Sequence, residues 1–270
     1  MQLRTDLVME NDCAEMCTEQ AKNESLSFGD CSLDMVHIDS PSAAKNINKP
    51  RGKYYTLRFN RLDTVTDTSD IKNALIYSLK KLLPENERNG IMIVGLGNSD
   101  ITPDALGPLT ANRIMATRHI SKELKENLGL QGLKTVSVLI PGVIGKTGIE
   151  SSETVKAAVR FADPSAIIAI DALAARYTEN LCRTIQLCDS GISPGSGVSN
   201  ARKELSKKTL DIPVIAIGMP TVTDTSEVKD MMVTPKEIDI LIKKASEIIA
   251  DALNIFLQPG IDSEIIAALA

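Results

Sequence analysis

The sequence predicts an α/β fold, a single domain of three αβα layers on a mostly parallel, doubly wound sheet, and three observations carry that prediction. Short apolar runs rich in branched side chains recur at Ile91 to Val94, Val136 to Ile140, Ala166 to Ile170 and Pro213 to Ile217. Each has the length of a strand buried on both faces. Stretches of helical period separate them, the alternation that parallel β-α-β units produce. Hydrophobic residues fill 43% of the 270 positions, enough for one proper core.

In chain order, the first 50 residues are polar and rich in Ser, Asn and Asp, with Pro41 and Pro50 as punctuation. Residues 1–50 are therefore predicted as a loosely ordered N-terminal arm and 51–270 as the α/β domain. Tyr54 to Phe59 has strand character. Ser69 or Asp70 starts a helix reaching about Leu83, with Ile71, Leu75, Leu79 and Leu82 at helical spacing. Residues 84–90 turn into the central strand at Ile91. Beyond it, Thr102 as cap and Pro103 at the first helical position predict a helix to about Ala116, which puts Asp104 in its first turn. A second helical stretch falls near 121–128. Ser151 or Ser152 opens the next helix, and Thr184 to Leu187 adds a strand. Thr234 to Glu237 reads as a capping box before an amphipathic helix with Ile238, Leu241, Ala245, Ile249, Ala252 and Phe256 on one face.

The formal charge of −5 and the lack of a basic stripe argue against nucleic acid as a partner. No apolar run approaches the roughly 20 residues of a membrane span, and the N-terminus has no signal-peptide core, so a cytoplasmic chain is expected. Five cysteines, Cys13, Cys17, Cys31, Cys182 and Cys188, with only two histidines match no zinc spacing. Reduced thiols and no metal or other cofactor are the expectation, with metal dependence left open.

Topology gives two aspartates a reason to meet. In a flavodoxin-like strand order the first and third strands are neighbours, with a crevice between their carboxyl ends. Asp104 follows the first of these strands and Asp171 ends the third, so both carboxylates face one cleft within water-bridging distance. A helix N-terminus favours ionised Asp104, and the apolar strand before Asp171 favours its neutral acid. Proton affinities pushed apart in this way suit acid/base hydrolysis. On that reading Asp104 activates water and Asp171 protonates the leaving amine. The plainer alternative is a capping Asp104 and an Asp171 bound to loop amides.

Other motifs carry less. Gly95 and Gly97 permit a tight turn, but Asn98-Ser99-Asp100 stands where a dinucleotide fingerprint needs its third glycine. The Gly/Ser-rich loop 189–197, with Gly195 and Gly197, brings backbone donors near a substrate or simply connects elements. No Gly-x-Ser-x-Gly elbow supports a serine nucleophile, and Cys182 and Cys188 read as small core residues. Arg176 suits an oxyanion or a surface ion pair.

Six segments, GLGNSDITPDALGP (95–108), PGVIGKTGIES (141–151), AIDALAAR (169–176), DSGISPGSGVSNARKELS (189–206), PVIAIGMPTVTD (213–224) and VTPKEID (233–239), resemble the germination protease family, in order and over about 90–260. That family comprises endopeptidases of spore formers that degrade small acid-soluble spore proteins. The resemblance implies essential aspartates at Asp104 and Asp171, the pair the cleft argument selects. It implies a fold similar to hydrogenase-maturation proteases, whose acidic metal ligands occupy equivalent crossovers. It also implies a homotetrameric zymogen, located in the spore core, that cuts itself within Arg4-Thr5-Asp6-Leu7, between Asp6 and Leu7. Gly95, Gly97, Asn98, Gly142, Arg176, Gly195 and Gly197 would then shape the substrate cleft.

Two departures stand out. The segment ahead of the cut is six residues, and only Thr225 to Met232 remains where the family's best-known members carry a long insertion. The rival functions are a metal-dependent maturation protease of the same fold, which needs a third ligand, and a non-enzymatic ligand-binding module.

Overall fold

In chain order the strands and helices are β1 (Ala21–Phe28), β2 (Cys31–Ile38), α1 (Pro41–Ile47), β3 (Gly52–Arg58), α2 (Ser69–Leu82), β4 (Ile91–Gly95), α3 (Leu106–Ala111), α4 (Lys122–Asn127), β5 (Val136–Leu139), α5 (Ile144–Thr147), α6 (Ser151–Ala162), β6 (Ala166–Ala175), β7 (Thr184–Cys188), α7 (Lys207–Leu210), β8 (Val214–Asp224), β9 (Met232–Val233) and α8 (Ile238–Leu257). The computed structural model describes residues 5–10, 21–84, 90–127, 130, 132–195, 203–224 and 231–261. Cys13, Cys17 and Gly197 lie outside them.

One sheet runs β1-β2-β3-β7-β8-β6-β4-β5, with β9 added to β8. Its parallel block is β5-β4-β6-β8, so the first and third predicted strands, β4 and β6, are neighbours as expected. The β1-β2-β3-β7 half is antiparallel and joins the block through the β7–β8 pair. Both faces are covered. Ile91, Ile93, Ile168, Ile170, Ile215 and Ile217 pack under α2, α3 and α8. The alternate residues Met92, Val94, Ile167, Ala169 and Val214 meet Val155 of α6 and Leu210 of α7. This period of two, apolar on both faces, is what a doubly covered parallel strand requires.

Four expectations need correction. Residues 21–38, read as part of a loose arm, form a hairpin that extends the sheet. The segment Cys31-Ser32-Leu33-Asp34-Met35 alternates, and Leu33 and Met35 are buried in the main core. His37, also read as part of the arm, sits in β2 with its ring stacked on Tyr55. The helix predicted over 103–116 is a 3₁₀ turn, Thr102–Asp104, followed by the six-residue α3. Thr102 does not cap it; its carbonyl accepts from Ala105 N–H. The capping box at Thr234 does not form either, because the Thr234 hydroxyl donates to Thr221 O at 2.8 Å and α8 begins after Glu237.

Candidate active site

At the top of β4 the chain leaves the sheet through Gly95, Leu96 and Gly97, and Leu96 N–H donates to Ile170 O at 2.8 Å. The β4–β6 ladder ends there, at Gly95 opposite Ile170. Strand β6 does not stop at Asp171 as predicted. It runs on to Ala175 because β8 continues beside it, pairing Asp171 with Gly218. Asp171 thus stands one residue past the point where β4 departs. It is buried at 4% exposure, and its Oδ1 accepts from Ala172 N–H at 2.9 Å.

Asp104 comes over this point from the other side. Asn98 N–H donates to its Oδ2 at 2.8 Å and to its backbone oxygen at 3.2 Å. Gly97 makes that wrap possible: its φ is +112°, and a Cβ there would lie 2.1 Å from Asp104 O. Thr221 of β8 pins the turn by donating to Pro103 O at 2.7 Å. Asp104, half-buried, and Asp171 line one cleft of about 620 Å³.

The remaining site residues divide. Gly97 and Gly195 line the cleft; Gly195 has a φ of +71°. Gly95, Asn98, Gly142 and Arg176 do not. Gly95 sits against α3, where a Cβ would meet Gly107 O at 2.4 Å. Asn98 acts through its backbone N–H on Asp104. Gly142 accepts from the Ser151 hydroxyl at 2.8 Å and shapes the start of α6. Arg176 N–H donates to Glu10, and its guanidinium lies 6.0 Å from the Tyr177 ring. Asp6 lines the same cleft as the two aspartates, and Leu7 is buried beside Leu173 and Ala175.

Lys49, Tyr54, Gln186, Gly218 and Thr221 also line the cleft and carried no local signature of function. Only Gln186 left a trace, as a polar residue in the apolar strand Thr-Ile-Gln-Leu-Cys. Cys188 reaches the cleft wall too, but burial pushes its thiol up, away from the thiolate a nucleophile requires. Burial likewise raises the Tyr54 phenol, whose hydroxyl donates to Pro50 O at 2.8 Å. Lys49 is lowered from the usual lysine value by desolvation, against the pull of Asp6, Cys188 and Glu10.

Comparison with known proteins adds identity to this geometry. The peptidase A25 family model, described as germination protease, matches residues 4–230. A germination protease of Clostridium tetani is 35% identical, with 98% of each chain covered. One from Clostridium acetobutylicum is 33% identical over 96% of each, and one from Geobacillus is 39% identical over 89% of this chain and 68% of its own. Among solved structures, the [NiFe] hydrogenase maturation protease HycI from Thermococcus kodakarensis aligns at a TM-score of 0.42 and 22% identity, over 67% of this chain and 98% of its own. With a family match from residue 4 to residue 230 and relatives a third identical from end to end, the chain belongs to the germination protease family of peptide hydrolases.

Proposed function

We propose that this chain is an endopeptidase that hydrolyses small acid-soluble spore proteins during germination. It is made as a zymogen that cuts itself between Asp6 and Leu7, and the pair Asp104 and Asp171 activates the attacking water. One observation carries the reading: two carboxylates, one from the turn after β4 and one from within β6, and the segment bearing the bond to be cut line a single cleft.

The chemistry follows from the setting of each group. The half-buried Asp104 takes a proton from water, which adds to the peptide carbonyl. The more deeply buried Asp171 supplies the proton that lets the amine leave. Among the described residues no group of three His, Cys, Asp or Glu side chains stands close enough to hold a metal ion. No step here is routed through a metal. By family likeness the assembly is a homotetramer of the spore core. Among the described residues, no helix is long and apolar enough to cross a membrane.

The test incubates wild type, Asp104→Asn and Asp171→Asn with a purified small acid-soluble spore protein. Loss of a proton-transfer group costs about 10²- to 10⁴-fold in rate, and each variant is expected to fall by that much. Near-wild-type turnover in either variant removes the pair from the mechanism.

A further inference from the structure

We infer that Lys49 and Gln186 form the carbonyl-binding site of the cleft, holding the oxygen of the peptide bond that is cut. In this chain they hold that of Asp6. The inference rests on the self-cleavage reading above and assigns the groups that activate that bond.

Residues 5–10 lie along the continuation of β6 as a peptide ligand would. Asp6 N–H donates to Ala174 O at 2.9 Å, and Ala174 N–H returns a bond to Asp6 Oδ2 at 2.9 Å, which fixes the register. The Asp6 carbonyl then receives two side-chain donors, Lys49 Nζ at 2.8 Å and Gln186 Nε2 at 3.1 Å. Lys49 also reaches Thr5 O at 3.2 Å. The oxygen of the same Gln186 amide accepts Val8 N–H at 2.8 Å. One side chain therefore brackets the Asp6–Leu7 bond, contacting the carbonyl before it and the amide two residues on, as a neighbouring strand would.

The downstream side is anchored separately. Leu7 is buried among Leu173 and Ala175. Glu10, at 4% exposure, accepts from Arg176 N–H at 2.6 Å, Tyr177 N–H at 3.1 Å and Asn180 Nδ2 at 2.6 Å, and also from the Thr5 hydroxyl. The bond is thus held between fixed points on both sides.

The row in which Gln186 stands connects this grip to the aspartates. Gly218 pairs with Asp171 on one side and with Gln186 on the other. Paired residues project to the same face, so Asp171 and Gln186 face the cleft from positions two strand spacings apart, roughly 10 Å. Gly218 puts no side chain between them. A half-buried ammonium aimed at a peptide oxygen is an expensive way to tie down a loop, whereas positive charge and N–H donors at that oxygen are what a tetrahedral intermediate requires.

In the step itself, water adds to the Asp6 carbonyl carbon and loses a proton to the aspartate pair, and the carbonyl oxygen takes the negative charge opposite Lys49 and Gln186. The C–N bond then breaks, and its electron pair goes to the Leu7 nitrogen. That nitrogen takes up the proton, leaving an Asp6 carboxylic acid, whose own proton then passes to the new Leu7 amine to give carboxylate and ammonium.

The experiment uses the full chain and follows the 6–7 cut by intact mass, with hydrolysis of a small acid-soluble spore protein measured in parallel. Lys49→Met removes the charge, and Lys49→Arg keeps it. Gln186→Glu keeps the acceptor for Val8 N–H but loses the donor to Asp6. Removing one such donor costs about 10²- to 10³-fold. Lys49→Met and Gln186→Glu are expected to slow self-cleavage by that factor while melting near the wild-type temperature, with Lys49→Arg recovering most of the rate. Self-cleavage within threefold of wild type in Lys49→Met or Gln186→Glu overturns the inference. If Lys49→Met does not fold, Gln186→Glu decides alone. A wild type that digests the spore protein but never cuts itself refutes this inference and the zymogen reading while leaving the endopeptidase reading intact; one that does neither refutes all three.

Discussion

Gly97 shows how a single residue holds the site. With φ at +112° and room for no Cβ beside Asp104 O, the position admits glycine alone without strain. Gly97→Ala is expected to cost about 1–3 kcal/mol of stability and to lower turnover at least tenfold by displacing Asp104, measured by denaturant unfolding beside an activity assay. Asp104 and Gly97 stood out in the sequence through a local pattern, a strand followed by a turn, and Asp171 as the acid that follows five apolar strand residues. Lys49 and Gln186 were not, since the bond they share is created when residues far apart along the chain meet on one face of the sheet. The proposed helix-terminus role for Asp104 also failed at this scale. A 3₁₀ turn and a backbone N–H from Asn98 do the holding instead.

Elements were readable where apolar periodicity was strong. Strands β4 and β6 and helices α2, α6 and α8 begin or end within a few residues of their predicted limits. The hairpin of β1 and β2 was missed because β1, the edge strand, is polar from Lys22 to Ser25, and only β2 carries the period-two signal. Strand β6 outran its prediction because extension depends on the partner β8, which local sequence does not contain. Helix α3 is placed by contact of backbone with backbone. A Cβ at Gly107 would lie 2.2 Å from Leu96 O and 2.4 Å from Ile170 O, so the helix sits directly on the crossover between β4 and β6. Gly107→Ala is expected to push α3 off this seat at a cost of about 1–3 kcal/mol, seen as a lower denaturation midpoint together with reduced hydrolysis.

Over the whole molecule, the alternation of strands and helices made the three-layer class legible, while the antiparallel half of the sheet had to be seen. Buried thiols leave a signature at this scale. Cys31 and Cys182 are pushed by burial from an ordinary 9.0 to about 11 and about 12. The folded state therefore keeps protons that the unfolded chain gives up, so this stabilisation is whole below pH 9 and drains as pH rises towards those values. The expected slope is about 1.4 kcal/mol per pH unit for each thiol. Guanidinium unfolding at rising pH under reductant should show the decline, and Cys182→Ala should make it shallower. The clasp around Glu10 has a consequence for direction. Under the proposed cut, the new chain end stays fastened through Glu10 to residues 176, 177 and 180, while the upstream piece is held by the hydrogen bonds of Thr5 and Asp6 and by no covalent tie. Loss of that piece to dilution then leaves resealing without a partner, so the proposed maturation runs one way.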